Sequence, residues 1–279
     1  MEANHPPPSQ LPSPQPSTTV PQLSFSQQDV FKSVKSFRRG SALGPSGVRP
    51  EHLKAVLKSP SPNKADKALQ ALTKVINLMI DGKVPKYVAP FLAGARLHAA
   101  KKRDGGIQPI AVGNLLRRLA SKLVARVVAS KAVRLLSPHQ IGVGVRGGCE
   151  SIVHAVEKVL EEDGPEKMVL QVDYTNAFNL ANQNTTFQEV HQHFPELLSW
   201  VLTCYGSTSQ LMFGDNIMPS ATGFHQGDPL AGLLFSVNLY PVVEQVVVEV
   251  PNLDLNAWFL DDGTMVGAKE DLQRGVDVL

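Results

Sequence analysis

Apolar positions first recur at helical spacing at Val30, Phe31 and Val34, directly behind Ser26-Gln27-Gln28-Asp29, a helix start. Gly44-Pro45-Ser46-Gly47 reads as a turn. Pro50-Glu51-His52-Leu53-Lys54 opens a second helix with its proline in the first turn, and a third is expected over Lys64 to Ile80, stopping at Asp81-Gly82. Leu92 to His98 and Gln108 to Val112 read as short strands around a tight turn at Asp104-Gly105-Gly106. Asn114 then caps a long helix to about Leu136, with Leu115, Leu119, Leu123 and Val127 as its apolar stripe and Arg118, Lys122 and Arg126 on another face. Another helix is expected from Ser151 to about Glu162. Met168 to Val172 is a short apolar run ending on Asp173, which suits a buried strand. A helix over Phe194 to Tyr205 follows, then a hairpin with Gly214-Asp215-Asn216 between Leu211-Met212-Phe213 and Ile217-Met218. Asp228 and Pro229 suit the N-cap and first turn of a helix to about Val250. Ala257 to Leu260 and Thr264 to Val266 read as strands joined at Asp261-Asp262-Gly263, with a last helix from near Glu270. No internal repeat is present.

Composition sharpens this picture in three places. Residues 1–22 are dominated by Pro, Ser and Gln and cannot bury enough apolar surface to offset their ordering entropy, so they read as a disordered tail. The rest, in a chain that is 43% apolar and 19% charged, has enough apolar sequence for a sizeable core. Cys149 and Cys204 are far apart and in no ligand pattern, which argues against a disulfide framework and a zinc site and suits a reducing compartment. No apolar run approaches the roughly 18 residues of a membrane helix and no signal peptide opens the chain, so an intracellular soluble protein of the nucleus, the cytoplasm or both is expected. Net charge is only +2, yet Arg96 to Arg146 holds eleven lysines and arginines against one acid, Asp104, leaving that segment at +10 and the remainder at −8. Such a field attracts phosphate backbones. Arg96, Arg117, Arg118, Lys122 and Arg126 are candidates to track a nucleic-acid strand, the alternative for the last four being an ordinary amphipathic helix with a cationic solvent face.

Three carboxylates stand where folding alone would not put them. Asp173 ends an apolar strand, and Asp261 and Asp262 sit at a hairpin tip. If the strands are neighbours, the three acids converge, and their repulsion is relieved by a hard cation that takes oxygen ligands. Two such ions can clamp the attacking and leaving oxygens of a phosphoryl transfer. Taken singly, Asp-Asp-Gly is also ordinary turn chemistry, and Asp173 could cap a helix.

The combination resembles reverse transcriptases. Phe259-Leu260-Asp261-Asp262 is similar to their aromatic-x-Asp-Asp motif, and Val172-Asp173-Tyr174-Thr175-Asn176-Ala177-Phe178-Asn179 to their first catalytic motif. Gly223-Phe224-His225-Gln226-Gly227-Asp228-Pro229-Leu230 resembles the Gln-Gly-Asp-Pro-Leu motif between them. Upstream, Gly44-Pro45-Ser46-Gly47-Val48-Arg49-Pro50 and Lys101-Lys102-Arg103-Asp104-Gly105-Gly106-Ile107 are similar to leading and fingers motifs of non-LTR retrotransposon enzymes, so the resemblance runs from about Ser41 to Gly267.

The resemblance implies an α/β (α+β) polymerase: a palm with an antiparallel sheet over 165–279 and helix-rich fingers over 23–164, the thumb absent because the chain stops soon after the Asp-Asp hairpin. It implies RNA-templated DNA synthesis with an RNA template, a DNA primer, deoxynucleoside triphosphates and two Mg2+ ions, or Mn2+. Asp173, Asp261, Asp262 and the backbone oxygen of Tyr174 would hold the metals. Lys102, and next Lys101, would meet the triphosphate, and Gln226 and Gly227 the nascent base pair and template. Phe178 would lie under the incoming sugar and exclude ribonucleotides, its alternative being a core aromatic on a helix. Gln108 stands where the family usually has a triphosphate-clamping arginine, and His225 where glutamine is common. Two other readings stay open: a catalytically silent nucleic-acid-binding remnant and, against Phe178, an RNA-dependent RNA polymerase.

Overall fold

The computed structural model describes residues 22–101, 105–163 and 166–279, and its first helix begins where a reciprocal cap starts it. The Asp29 amide donates to Ser26 Oγ (3.2 Å) and the Ser26 amide donates to the Asp29 carboxylate (3.0 Å), opening α1 (Gln27–Lys35). α2 (Pro50–Leu57) and α3 (Pro62–Ile80) follow as expected, the latter two residues earlier. The Asn77 amide on α3 bonds both backbone groups of Phe25, at 2.9 and 3.0 Å, and so ties the entry of α1 to α3.

The strand expected from Leu92 is corrected. Ala89–Ala93 forms a short helix, α4, with Pro90 in its first turn, and extended backbone starts only after Gly94 as β1 (Ala95–Lys101). β2 (Ile107–Gly113) returns antiparallel to it. Of the pattern's other predictions here, Asp104 of the turn lies outside the described residues, as do 1–21 of the proline-rich segment and Lys102. α5 (Leu115–Leu136) buries Leu115, Leu119 and Leu123, whereas Val127 is 53% exposed. Steps of four residues overshoot a 3.6-residue turn, so the stripe drifts and the core role passes to Val124 and Val128.

The chain continues through α6 (Gly148–Asp163), β3 (Met168–Asp173), α7 (Ala177–Leu180) and α8 (Gln183–His193). The helix expected from Phe194 begins as a 3-10 turn, Pro195–Leu197, and is α-helical only over α9 (Leu198–Tyr205). The hairpin β4 (Ser209–Phe213) and β5 (Asn216–Ser220) precedes α10 (Ala231–Glu249), which starts three residues after Asp228. β6 (Leu255–Phe259), β7 (Asp262–Gly267) and α11 (Lys269–Val278) complete the order.

The chain divides into two compact units, each drawn from two stretches: residues up to 127 with 182–231, and 128–181 with 232–279. The first unit carries a mixed sheet of order β2-β1-β4-β5, in which β1 runs parallel to β4 through Ala95 opposite Leu211 and Arg96 opposite Met212. Helices α1, α2 and α3 pack on one another, and α4 packs against α9 and β4. Its core holds Val30, Ile76, Leu119, Trp200 and Phe224, with Trp200 Nε1 donating to Ser121 Oγ at 3.2 Å. Burial pushes the Cys204 thiol in this unit up to about 12, so it stays protonated and unreactive, while Cys149 is a free thiol at the surface.

The second unit carries an antiparallel sheet of order β3-β7-β6 flanked by α6 and α11. β3 was expected to be buried but is an edge strand, with Met168 50% and Val169 41% exposed. An apolar run shows that a strand is present, not that both its faces are covered. α10 is a further correction: its length and composition alone would let it cross a membrane, so one apolar helix does reach that length. Half of that stretch is buried, through residues such as Leu234, Phe235 and Val237, as in a core helix. At the centre of this sheet Gly263, opposite Trp258, cannot carry a side chain: a Cβ there would stand 2.5 Å from the buried indole. Glycine after the two aspartates therefore serves strand packing, not the turn.

Candidate active site

Strand pairing brings the three aspartates together within the second unit. In the register of β3 and β7, Asp173 lies directly opposite Asp262, and Phe259 of β6 is opposite Asp262 on its other side. Directly opposed residues share a face with Cβ atoms about 4.5–5.5 Å apart, an arrangement that like charges destabilise. Asp261 is in the tip that joins β6 to β7. Asp173 and Asp262 are exposed and Asp261 is half-buried, so all three are open to solvent and its ions. Partial burial first, then the charges of Asp261 and Asp173, raise the pKa of Asp262 above its ordinary value. This is the electrostatic conflict that a cation relieves, and an all-oxygen donor set suits a hard divalent ion. The carboxylates are not closed around one point: among the described residues no group of three His, Cys, Asp or Glu side chains is arranged to hold an ion. Tyr174, next to Asp173, stacks its ring on Trp258 at 6.1 Å and 19°.

The repulsion gives a signed expectation. A carboxyl whose pKa is raised by folding costs stability once ionised, and that cost is absent below the unfolded value of 3.8. Asp262→Asn should therefore raise the melting midpoint at neutral pH, with the gain disappearing as pH falls below 3.8, a trend that calorimetry at several pH values reads directly.

Phe178 lies on α7 at 9% exposure, its ring stacked on Phe235 at 4.7 Å. It is thus a core aromatic by placement, whatever further role it has. In the first unit, two residues assigned to the nucleotide meet: Gln108 Nε2 donates to Gln226 Oε1 at 3.2 Å. Gly227 is required by its own chain. Its amide donates to the Ala111 carbonyl at 3.1 Å, and a Cβ would stand 2.4 Å from that oxygen. Lys101 ends β1 and is exposed, as is Arg96.

The basic residues of α5 are largely engaged by the protein itself. Arg117, expected to track nucleic acid, is fully buried. Its Nε donates to Asp228 Oδ2 at 3.1 Å, Nη2 is ion-paired with the same oxygen at 3.0 Å without a hydrogen bond of its own, and Nη1 donates to the Ala93 carbonyl and to His225 Nδ1. Tyr205 Oη adds a bond to Asp228 at 3.1 Å. The Gln-Gly-Asp-Pro-Leu segment is thereby fixed to α5 by a buried ion pair, which an i, i+4 count of basic residues could not reveal. Arg118 donates to the Ala42 carbonyl (2.9 Å), Lys122 to the Ser36 carbonyl (3.1 Å) and Arg126 to Ser36 Oγ (2.8 Å). Arg118 and Lys122 also lie over the Phe37 ring. These three pin the segment after α1, and all remain partly or fully exposed.

No family profile and no curated protein matches the sequence. Solved structures do. A telomerase from Candida albicans, in complex with a TWJ fragment of telomeric RNA, matches with a TM-score of 0.50 at 11% identity over 70% of this chain and 41% of that one. An apo telomerase from Candida tropicalis matches with a TM-score of 0.50 at 13% identity over 70% of this chain and 42% of that one. The chain thus spans under half the length of these solved chains. At such identity the likeness is one of fold: a mixed α/β polymerase fold of the reverse-transcriptase type.

Proposed function

We propose that this chain is the polymerising part of a retroelement reverse transcriptase of the non-LTR type, copying RNA into DNA. The observation that carries the reading is the register that sets Asp173 opposite Asp262 beside Asp261, a destabilising arrangement of acids within a reverse-transcriptase-like fold. In the reaction, the primer 3′-oxygen forms a bond to the α-phosphorus of a deoxynucleoside triphosphate, the bond from that phosphorus to the bridging oxygen breaks, pyrophosphate leaves, and the hydroxyl proton passes to solvent. Asp173, Asp261, Asp262 and the Tyr174 carbonyl would hold two Mg2+ ions, or Mn2+, whose charge would favour the attacking alkoxide and the leaving pyrophosphate.

The protein's own residues would do the positioning. Gln226, fixed from behind by Gln108, would pack against the nascent base pair. Arg96 and Lys101, exposed along β1, would meet phosphate, with Lys102 next in the chain. Arg118, Lys122 and Arg126 would add field to a template strand, since a cation that donates one bond to backbone still carries its charge. Arg117 takes no part in nucleic-acid contact.

The test is incorporation of deoxynucleotides opposite a defined RNA template with magnesium. Incorporation that follows template sequence supports the proposal. RNA binding without incorporation favours a silent remnant, a reading to which the uncharged Gln108 lends support. Sugar selection supplies a sharper expectation: Phe178→Val, which shortens the ring but keeps an apolar side chain beside Phe235, should admit ribonucleotides about tenfold or more readily if the ring excludes a 2′-hydroxyl. An active variant with unchanged sugar preference removes Phe178 from that role.

A further inference from the structure

The tip of the Asp-Asp hairpin is held by a side chain outside every motif considered above. Leu260, between Phe259 and Asp261, has φ +59. That left-handed conformation is strained for a residue with a side chain and persists only where its surroundings over-determine it. Here the determinant is the amide of Gln140, 3% exposed. Its oxygen accepts from the Leu260 amide at 2.8 Å, and its nitrogen donates to the Leu260 carbonyl at 2.9 Å. The same oxygen also accepts from the Gly142 amide at 2.9 Å.

Gln140 is itself held against the sheet. The Ile141 amide donates to the Trp258 carbonyl at 2.8 Å, the Trp258 amide donates to the His139 carbonyl at 2.6 Å, and Gln140 pairs in parallel with Trp258. Residues 139–141 thus add a short extra rung beside β6, and the amide reaches along it to Leu260, the first residue past the strand, where φ turns positive. All of these residues belong to the second unit.

We propose that Gln140 is a positioning residue: by bonding both backbone groups of Leu260 it fixes the left-handed step that aims Asp261 and Asp262 toward Asp173. The assignment rests on reading those carboxylates as a metal-holding set. A methionine at 140 fills similar volume and can make none of the three bonds. A glycine at 260 takes positive φ without strain and so has less need of the amide. Groups that orient metal ligands without touching the ion typically change metal affinity by about 10–100-fold when removed.

The experiment titrates Mn2+ by calorimetry into the parent, Gln140→Met, Leu260→Gly and the double variant. Amide hydrogen exchange at residues 260–262 and steady-state primer extension accompany it. Gln140→Met is expected to melt cooperatively, bind Mn2+ about tenfold or more weakly, exchange faster at residues 260–262 than in the rest of the sheet, and lose kcat with little change in nucleotide KM. In the Leu260→Gly background the same substitution is expected to cost less Mn2+ affinity. This comparison also serves if Gln140→Met alone folds poorly, because the double variant relieves the strained step. A folded Gln140→Met with parental Mn2+ affinity and parental exchange at 260–262 overturns the assignment while leaving the polymerase reading intact. A parent that binds no Mn2+ overturns both.

Discussion

Arg117→Ala is expected to destabilise the protein by about 3–5 kcal/mol, because it leaves the Asp228 carboxylate buried without its countercharge. Both side chains are almost fully excluded from solvent, at 1% and 3% exposure, and the ion pair is satisfied further by Ala93, His225 and Tyr205. Replacing both ends, as Arg117→Met with Asp228→Leu, should cost much less than the sum of the single changes, since no unpaired charge remains. Urea denaturation of the two singles and the double reads this coupling. A single-site cost below about 1 kcal/mol would mean that the pair does not anchor the segment.

The same network predicts a pH dependence. Burial first, and then the Arg117 charge, hold the His225 imidazole well below its ordinary value of 6.5. Arg117 donates to Nδ1, so the neutral ring carries its proton on Nε2, which faces Ser220 Oγ at 3.5 Å. Below pH 6.5 the unfolded chain takes up a proton that the folded one refuses. Stability should therefore fall as pH drops from 7 toward 5, by up to about 1.4 kcal/mol per pH unit. His225→Asn should flatten that slope.

The second large effect is catalytic. Asp173→Asn and Asp261→Asn each keep the side chain's shape and remove a charge assigned to metal binding. If that charge supplies several kcal/mol of transition-state stabilisation, at about tenfold per 1.4 kcal/mol, extension should fall about a thousandfold or more. Neither variant should lose more than a small part of its stability, because both acids are at least partly open to solvent. Loss of activity with an intact melt separates this outcome from simple unfolding.

Much of the candidate site was legible in the chain because its elements are set by neighbours in sequence. Asp173 at the end of an apolar run and Asp261-Asp262 between two more gave the strands, and antiparallel pairing did the rest. Ser26 with Asp29 gave a helix start for the same local reason. What stayed hidden depends on partners distant in the chain. The parallel pairing of β1 with β4 leaves no local mark. Arg117 looks like one more surface cation until Asp228, over a hundred positions away, is placed beside it. Asp228 looked like a helix cap, and its Oδ1 does accept from the Leu230 amide at 3.0 Å, but Arg117 takes Oδ2 and α10 starts later. Gln140 carries no charge and joins no carboxylate, and the positive φ of Leu260 that gives it a purpose is invisible in sequence. Its trace in the sequence is an uncharged polar residue two positions before Gly142, too common a pattern to single out.

The measurement that bears most directly on the central claim is single-turnover extension of a DNA primer on an RNA template, with deoxynucleotides and magnesium, by the parent and by Asp261→Asn. The account predicts products whose sequence follows the template with the parent, none above background with the variant, and similar melting curves for both. Equal extension by the two proteins, or none by a folded parent that binds the primer–template, would contradict it.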